Sequence, residues 1–166
     1  VHRSSEPLLE CVNTTRPWRH QDGEVSALQI DRVARLVERA EPAQLRVVVV
    51  HQPIAVTRAE DMSHRLPGHS VALRRWAEAG ADLVIGGHIH LPYVMPLQGL
   101  ARPLWVVQAG TAVSSRVRDG VPNSVNLLRW GADATPGSCR IEQWDYQTDD
   151  RAFRLAKVSE VRPDRT

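Results

Sequence analysis

Four consecutive valines, Val47–Val50, constrain the fold of this chain more than any other feature. A run of β-branched residues without polar alternation is typical of a strand covered on both faces, as in the middle of an α/β sheet. The run is closed by His51, and a second apolar run, Leu83–Ile85, leads through two glycines into His88. Two buried strands that both end in histidine predict a sheet with imidazoles along one edge.

The segments around these strands carry their own signals. Ser26 followed by Gln29 is a capping box, and Val25 with Ile30 forms a hydrophobic staple, so we predict a helix over 27–40. We expect a second helix over 69–79 that ends at Gly80, joined to the valine strand by an irregular connection over 54–68. The remaining predicted strands cover residues 8–13, 104–108, 124–130, 139–146 and 152–158. The order β-α-β-α-β followed by a run of strands indicates the α/β class.

Composition narrows the class of protein. The chain has 166 residues and a net charge of +2, which does not indicate nucleic-acid binding. No run is long enough to span a membrane, and no signal peptide is visible. The two cysteines, Cys11 and Cys139, are far apart and form no CxxC motif. We therefore expect a cytoplasmic protein with two buried free thiols and no membrane partner.

The stretch GGHIH, residues 86–90, gives the histidines a chemical interpretation. Ligands of open α/β sheets collect outside the carboxyl ends of the strands. If the strands are parallel neighbours, His51, His88 and His90 converge there, and residues i and i+2 of an extended segment point the same way. Neutral imidazole is a common ligand for zinc, iron and manganese. The three histidines are therefore candidate metal ligands, although a lone histidine at a strand end is more often a hydrogen-bonded structural residue.

Three segments together resemble a known family. VVVVHQP (47–53), GGHIH (86–90) and VVQAGTAVSSR (106–116) are similar to the C-terminal half of the calcineurin-like metallophosphoesterases, and the resemblance covers most of residues 8–131. It implies part of a four-layer α/β/β/α sandwich, with residues 1–159 as the C-terminal portion of that domain and 160–166 as a frayed tail.

The resemblance also implies a reaction and a set of ligands. Members of the family hydrolyse phosphomonoesters or phosphodiesters with a hydroxide activated by two divalent or trivalent ions, here manganese, iron or zinc. Carried over residue by residue, His51 and His88 would bind the second metal ion and His90 the first.

The departure from the family pattern is large. The DxH, GDxxD and GNH[DE] motifs, which precede the HxP strand in the family, do not occur in this sequence. We therefore expect a fragment that is inactive alone and has the N-terminal half of the same domain as its partner. Two alternatives stay open: a non-catalytic, degenerate binding module with this fold, and a mononuclear zinc site with three histidines.

Weaker candidates lie in the loops. Possible contacts to a phosphate-ester substrate are Arg16, His20 and Arg116, with Arg19 beside the first two. Asp61, His64 and His69 are candidates for the rim of the site, and Thr111 and Ser114 follow a strand that should pass near it. Solvated loop or turn chemistry is the competing interpretation for each of them.

Overall fold

The computed structural model describes residues 6–17, 23–131 and 134–165. Sheet 1 has five strands: β1 (Leu8–Cys11), β2 (Arg46–Val49), β3 (Leu83–Gly86), β4 (Tyr93–Leu97) and β5 (Leu104–Gln108). Their order is β1-β2-β3-β5-β4, and all pairings are parallel except that of the edge strand β4 with β5. The valine strand thus lies inside a largely parallel sheet, as its composition predicts.

Two helices cover one face of sheet 1. Helix α1 (Ala27–Glu38) has the predicted capping box, in which Ser26 accepts a hydrogen bond from the Gln29 backbone and the Gln29 side chain returns to the Ser26 backbone. Helix α2 (His69–Glu78) ends before Gly80, which has a φ of 96°. Apolar side chains of both helices pack with alternate residues of β2, β3 and β5, and Trp76 is fully buried among them.

The other face of sheet 1 packs against sheet 2. Sheet 2 is antiparallel, in the order β6 (Ser124–Arg129), β7 (Cys139–Gln147) and β8 (Ala152–Val161). Val47, Leu83 and Val107 of sheet 1 form a second core with Cys139 and Ile141 of sheet 2. The α/β class is confirmed, and the described residues supply three layers, helices, sheet and sheet, of the four that the resemblance implies.

The structure corrects several local predictions. The short strand β4 was not predicted, because it contains Pro96, which a strand tolerates only at a sheet edge. A 3₁₀ helix, Ala59–His64, lies within the connection predicted as irregular.

The tail is not frayed at Glu160, since β8 continues to Val161 and Arg165 binds Asp82. Cys11 is exposed because it lies on the edge strand β1, whereas Cys139 is buried as expected. Within the described residues, no helix has the length and apolar character needed to cross a bilayer.

Candidate functional site

The predicted histidines lie together at the carboxyl edge of sheet 1. His51 follows β2, and His88 and His90 follow β3, which is the parallel neighbour of β2. All three line one cleft of about 600 Å³, together with Thr111, Arg116 and Arg118 from the loop after β5. Parallel strands place their carboxyl ends at one edge, so residues 37 or more positions apart meet there.

His51 and His88 have a spacing that suits one metal ion. Their ring centroids are 5.2 Å apart, with the rings inclined by 72°. Two imidazoles bound to one tetrahedral ion through bonds of about 2.1 Å would have ring centroids about 5 Å apart. The centroid distance is therefore compatible with both rings contacting a single cation.

The backbone of GGHIH is not extended, which corrects the geometry assumed from the sequence. His88 and His90 have φ values of 72° and 54°, in the left-handed region that favours glycine. The Ile89 N–H donates to the Gly87 carbonyl at 2.9 Å, which closes a three-residue turn around His88. Such conformations cost about 1–3 kcal/mol each and cluster at functional sites. The two side chains reach the cleft through this turn and not through strand alternation.

One hydrogen bond shows which ring nitrogen of His90 carries a proton. Its Nδ1 lies 2.6 Å from the backbone carbonyl oxygen of Arg116. A carbonyl oxygen can only accept, so Nδ1 carries the proton and Nε2 keeps its lone pair in the neutral ring. Histidines that bind metals are commonly oriented by this kind of bond.

The two glycines before His88 differ in the space around them. A Cβ at Gly86 would meet the Gln108 side chain at 2.8 Å and the Gln52 carbonyl at 3.3 Å, so this glycine permits close packing beneath the cleft. A Cβ at Gly87 would meet only the His51 carbonyl, at 3.6 Å, so a small side chain there is sterically tolerable. Gln108, which is fully buried, donates to the Gly87 carbonyl and supports the turn from below.

Two arginines give the cleft a positive character, and they differ in their partners. Arg118 binds both carboxylate oxygens of Asp61, at 2.7 and 2.8 Å, and Asp61 is only 1% exposed. The hydrogen bond from Arg118 lowers the pKa of Asp61 although burial acts in the opposite direction. The Arg116 side chain is exposed at the cleft. Arg116 is thus available to an anionic ligand, while Arg118 is held by Asp61.

His64 lies beside His88 in the structure, although the sequence analysis treated it as a weaker candidate. Its ring centroid lies 5.7 Å from that of His88, and it is carried there by the 3₁₀ helix. The sequence did contain a signal for this: His64 lies in the connection that follows β2, and this connection starts at the strand end that carries His51. His69, the other rim candidate, instead lies 2.9 Å from the Leu66 carbonyl at the start of α2.

The remaining candidates have other roles or lie outside the described residues. Arg16 binds the Gln29 side chain and the Thr15 carbonyl and does not line the cleft. The hydroxyls of Thr111 and Ser114 accept backbone hydrogen bonds within their own loop. Arg19 and His20 lie outside the described residues.

The described residues do not complete a metal centre by themselves. Among residues 6–17, 23–131 and 134–165, no three His, Cys, Asp or Glu side chains are arranged to hold an ion. The carboxylate of Asp61 is already occupied by Arg118. A dinuclear centre needs a carboxylate between two cations, and the described part of the cleft offers imidazoles.

Comparisons with known proteins bear on the fold. No protein-family model matches the sequence, and no curated protein matches it. GAP50, the anchor in the inner membrane complex of Plasmodium, has a solved structure that resembles this chain with a TM-score of 0.53 at 11% identity. That match covers 94% of this chain and 49% of GAP50, so the chain spans about half the length of that protein.

A second solved structure is more remote. A single-mutant form of Vps29 from Entamoeba histolytica matches at 16% identity over 92% of this chain and 97% of its own, with a TM-score of 0.35. At these identities, the likeness to GAP50 shows a shared α/β fold, and the chemistry of the cleft has to be argued from its own residues.

Proposed function

We propose that the protein containing this chain hydrolyses phosphomonoesters or phosphodiesters with a hydroxide activated by two metal ions, and that this chain supplies the C-terminal part of the site. The observation that supports the proposal most is a single cleft at the carboxyl edge of sheet 1, lined by three histidines and two arginines. Histidines suit the ions, and guanidinium groups suit the phosphate.

Each side chain then has a distinct task. His51 and His88 would hold one ion, and His90 would present Nε2 to the other while Nδ1 stays bound to the Arg116 carbonyl. The ions, manganese, iron or zinc, would activate water and neutralise charge on the phosphate oxygens. The Arg116 guanidinium, which lines the same cleft, would bind a phosphate oxygen through charge-assisted hydrogen bonds.

The described residues of the cleft lack a group that this reaction requires. No carboxylate of the described residues lines the cleft, so nothing there can hold two cations close together against their repulsion. We propose that the N-terminal half of the same domain supplies the bridging carboxylate, and that residues 1–166 alone do not turn over substrate.

A second function, a non-catalytic binding module with the same fold, is favoured by a specific observation. Within the described residues, no three His, Cys, Asp or Glu side chains are arranged so that they could hold an ion. In that case, the positively charged cleft would bind a phosphorylated partner without cleaving it.

The thiols support a reducing compartment, which we propose to be the cytoplasm. Cys11 and Cys139 are both free, and burial raises the pKa of Cys139 to about 12, so that thiol is unreactive.

The first experiment tests the ligand assignment in the complete natural protein. With manganese present, we expect His88→Ala to lower kcat/KM for bis(4-nitrophenyl) phosphate at least ~10³-fold, since a metal ligand contributes to the transition state. The matched control is His69→Ala, whose ring bonds to the Leu66 carbonyl at the start of α2. Equal activity of the two variants would reject His88 as a ligand, and a complete protein with no hydrolysis would favour the binding module.

A second experiment tests the division of the site. Residues 1–166 should show no hydrolysis with manganese or zinc, and activity should appear when a separately expressed N-terminal half is added. Robust turnover by the chain alone, lost in His88→Ala, would contradict the missing carboxylate.

A further inference from the structure

A second cavity lies at the opposite end of sheet 1. Its volume is about 520 Å³, within the range of pockets that bind small molecules. It is lined by Arg46, the first residue of β2, and by Arg102, Arg165 and Trp130. His51 follows Arg46 by five positions along an extended chain, which corresponds to a distance of roughly 16 Å. This arginine cavity is therefore distinct from the histidine cleft.

Two of the three guanidinium groups, those of Arg165 and Arg102, contact a carboxylate. Arg165 binds both oxygens of Asp82, at 2.9 and 3.0 Å. Arg102 donates to the Asp164 carbonyl at 2.7 Å, with the Asp164 carboxylate at 3.9 Å.

Arg46 is the cation with the weakest compensation. Its Nη1 makes one long hydrogen bond, 3.3 Å to the Gly80 carbonyl, and its buried Nε has no hydrogen-bond partner within the described residues. Burial lowers the pKa of Arg46. The negative charge of Asp82 raises this pKa, whereas the positive charges of Arg165 and Arg102 lower it further. A buried donor without a partner costs about 1–3 kcal/mol, and an anion in the cavity would compensate the charge of the same guanidinium.

The rest of the wall is apolar and flat. Trp130 presents its indole ring, with the Arg165 guanidinium 5.7 Å from the ring centroid, and Pro42 and Pro136 complete that side. A cavity of this volume is too large for an inorganic anion alone and offers a stacking surface beside the cations.

We propose that the arginine cavity binds a small aromatic anion, with one carboxylate or phosphate-like group at Arg46 and Arg102 and a planar ring against Trp130. The preference for an aromatic body follows from the indole wall. The preference for a negative group follows from Arg46, whose Nε has no hydrogen-bond partner within the described residues.

The test is direct binding to residues 1–166. Benzoate and phenylphosphonate, neither of which the proposed hydrolysis can consume, serve as carboxylate and phosphate-like probes. Acetate and benzyl alcohol are controls for the ring and the charge. Binding is measured by calorimetry and by the indole N–H resonance of Trp130, assigned with Trp130→Phe.

We expect one or both aromatic anions to bind with Kd below ~10 mM, the value expected for a fragment of this size, and to shift the Trp130 resonance. Arg46→Met should weaken binding at least tenfold, and Arg102→Gln, at a side chain that is 27% exposed, should do so if Arg46→Met fails to fold. The matched control is Arg154→Met. Arg154 lies on β8 and forms an exposed ion pair with Asp150, so this variant should bind the probes like the parent. The better probe identifies the anionic group.

Three results would overturn the proposal. One is no binding of either aromatic anion at that concentration. Another is equal binding of acetate or benzyl alcohol, because the cavity would then select neither ring nor charge. The last is loss of binding in His88→Ala with Arg46→Met unaffected, which would move the site to the histidine cleft. None of these results would contradict the proposed hydrolysis, which depends on the histidine cleft.

Discussion

Two buried aspartates, Asp61 and Asp82, each bind an arginine through both carboxylate oxygens, and they lie at opposite ends of sheet 1. Asp61 pairs with Arg118 beside the histidine cleft, and Asp82 pairs with Arg165 beside the arginine cavity. Their exposed fractions are 1% and 3%. Yet the pKa of Asp61 lies below its usual value and that of Asp82 above it.

The difference comes from the balance between burial and hydrogen bonds. At Asp61, the side-chain hydrogen bond from Arg118 is the largest effect and outweighs burial. At Asp82, burial is the largest effect and outweighs the bonds from Arg165 and from the Arg46 backbone. Similar ion-pair geometry can thus stabilise a carboxylate in one place and fail to compensate its desolvation in another.

The two ends of sheet 1 differ in which arginine can bind a ligand. At the histidine cleft, the Asp61–Arg118 pair is internally satisfied, which leaves Arg116 as the exposed cation. At the arginine cavity, Arg46 is incompletely compensated because Asp82 already binds Arg165.

The sharpest test of this comparison is Asp61→Asn. It should lower the free energy of unfolding by about 3 kcal/mol near neutral pH, because it breaks a buried ion pair and leaves Arg118 with the exposed Glu60 as its carboxylate partner. Urea unfolding measures the change. Glu60→Gln is the control, since Glu60 also lies near Arg118, at 3.4 Å, but is 63% exposed and should change stability by less than about 0.5 kcal/mol.

The pH dependence of that effect has a definite sign. With a folded-state pKa below the ordinary 3.8, the Asp61 contribution is present above pH 3.8 and is lost as the pH falls through the folded value. The difference between the parent and Asp61→Asn should therefore shrink in acid. A difference that grows below pH 3.8 would refute the assignment.

Asp82→Asn should have a smaller effect, about 1.5 kcal/mol, because burial already opposes the charge. The folded-state pKa of Asp82 is raised, so its contribution is fully present below pH 3.8 and is lost as the pH rises through the folded value. The penalty of the substitution should be larger in acid than at neutral pH, opposite to Asp61. Parallel slopes for the two variants in urea titrations would break the comparison.

Ser26→Ala provides a reference without charge. Loss of the cap on α1 should cost about 1 kcal/mol, and because the Ser26–Gln29 bond is between neutral groups, the cost should not vary with pH. Thermal unfolding at several pH values measures it. An unchanged Tm would mean that the capping box contributes nothing to the stability of α1.

Local features of the fold could be predicted from the sequence because their causes are local. Unbroken β-branched residues predicted β2, the Ser26–Gln29 spacing predicted the start of α1, and strand ends placed His51 and His88 at one sheet edge. Strand β4 was missed because proline is tolerated there only at an edge, and edge position is a property of the assembled sheet.

The chemistry of the site depended more on tertiary structure. The turn with positive φ at His88 and His90 is held by contacts to Gln108 and to the Arg116 carbonyl, neither of which a motif reveals. His64 joined the cluster only through the path of the 3₁₀ helix.

The pairings of charge were also decided in three dimensions. Asp61 and Arg118 are 57 residues apart, and Asp82 and Arg165 are 83 apart. Scattered arginines carry no local signal of their partners, because a side chain pairs with whatever the packing of distant elements brings within hydrogen-bond distance. By itself, the sequence determined the strands, the helix cap and the type of side chain at the sheet edge. Only the tertiary structure decided which charges are compensated and which can bind a ligand, since burial and partner geometry exist only in the packed protein.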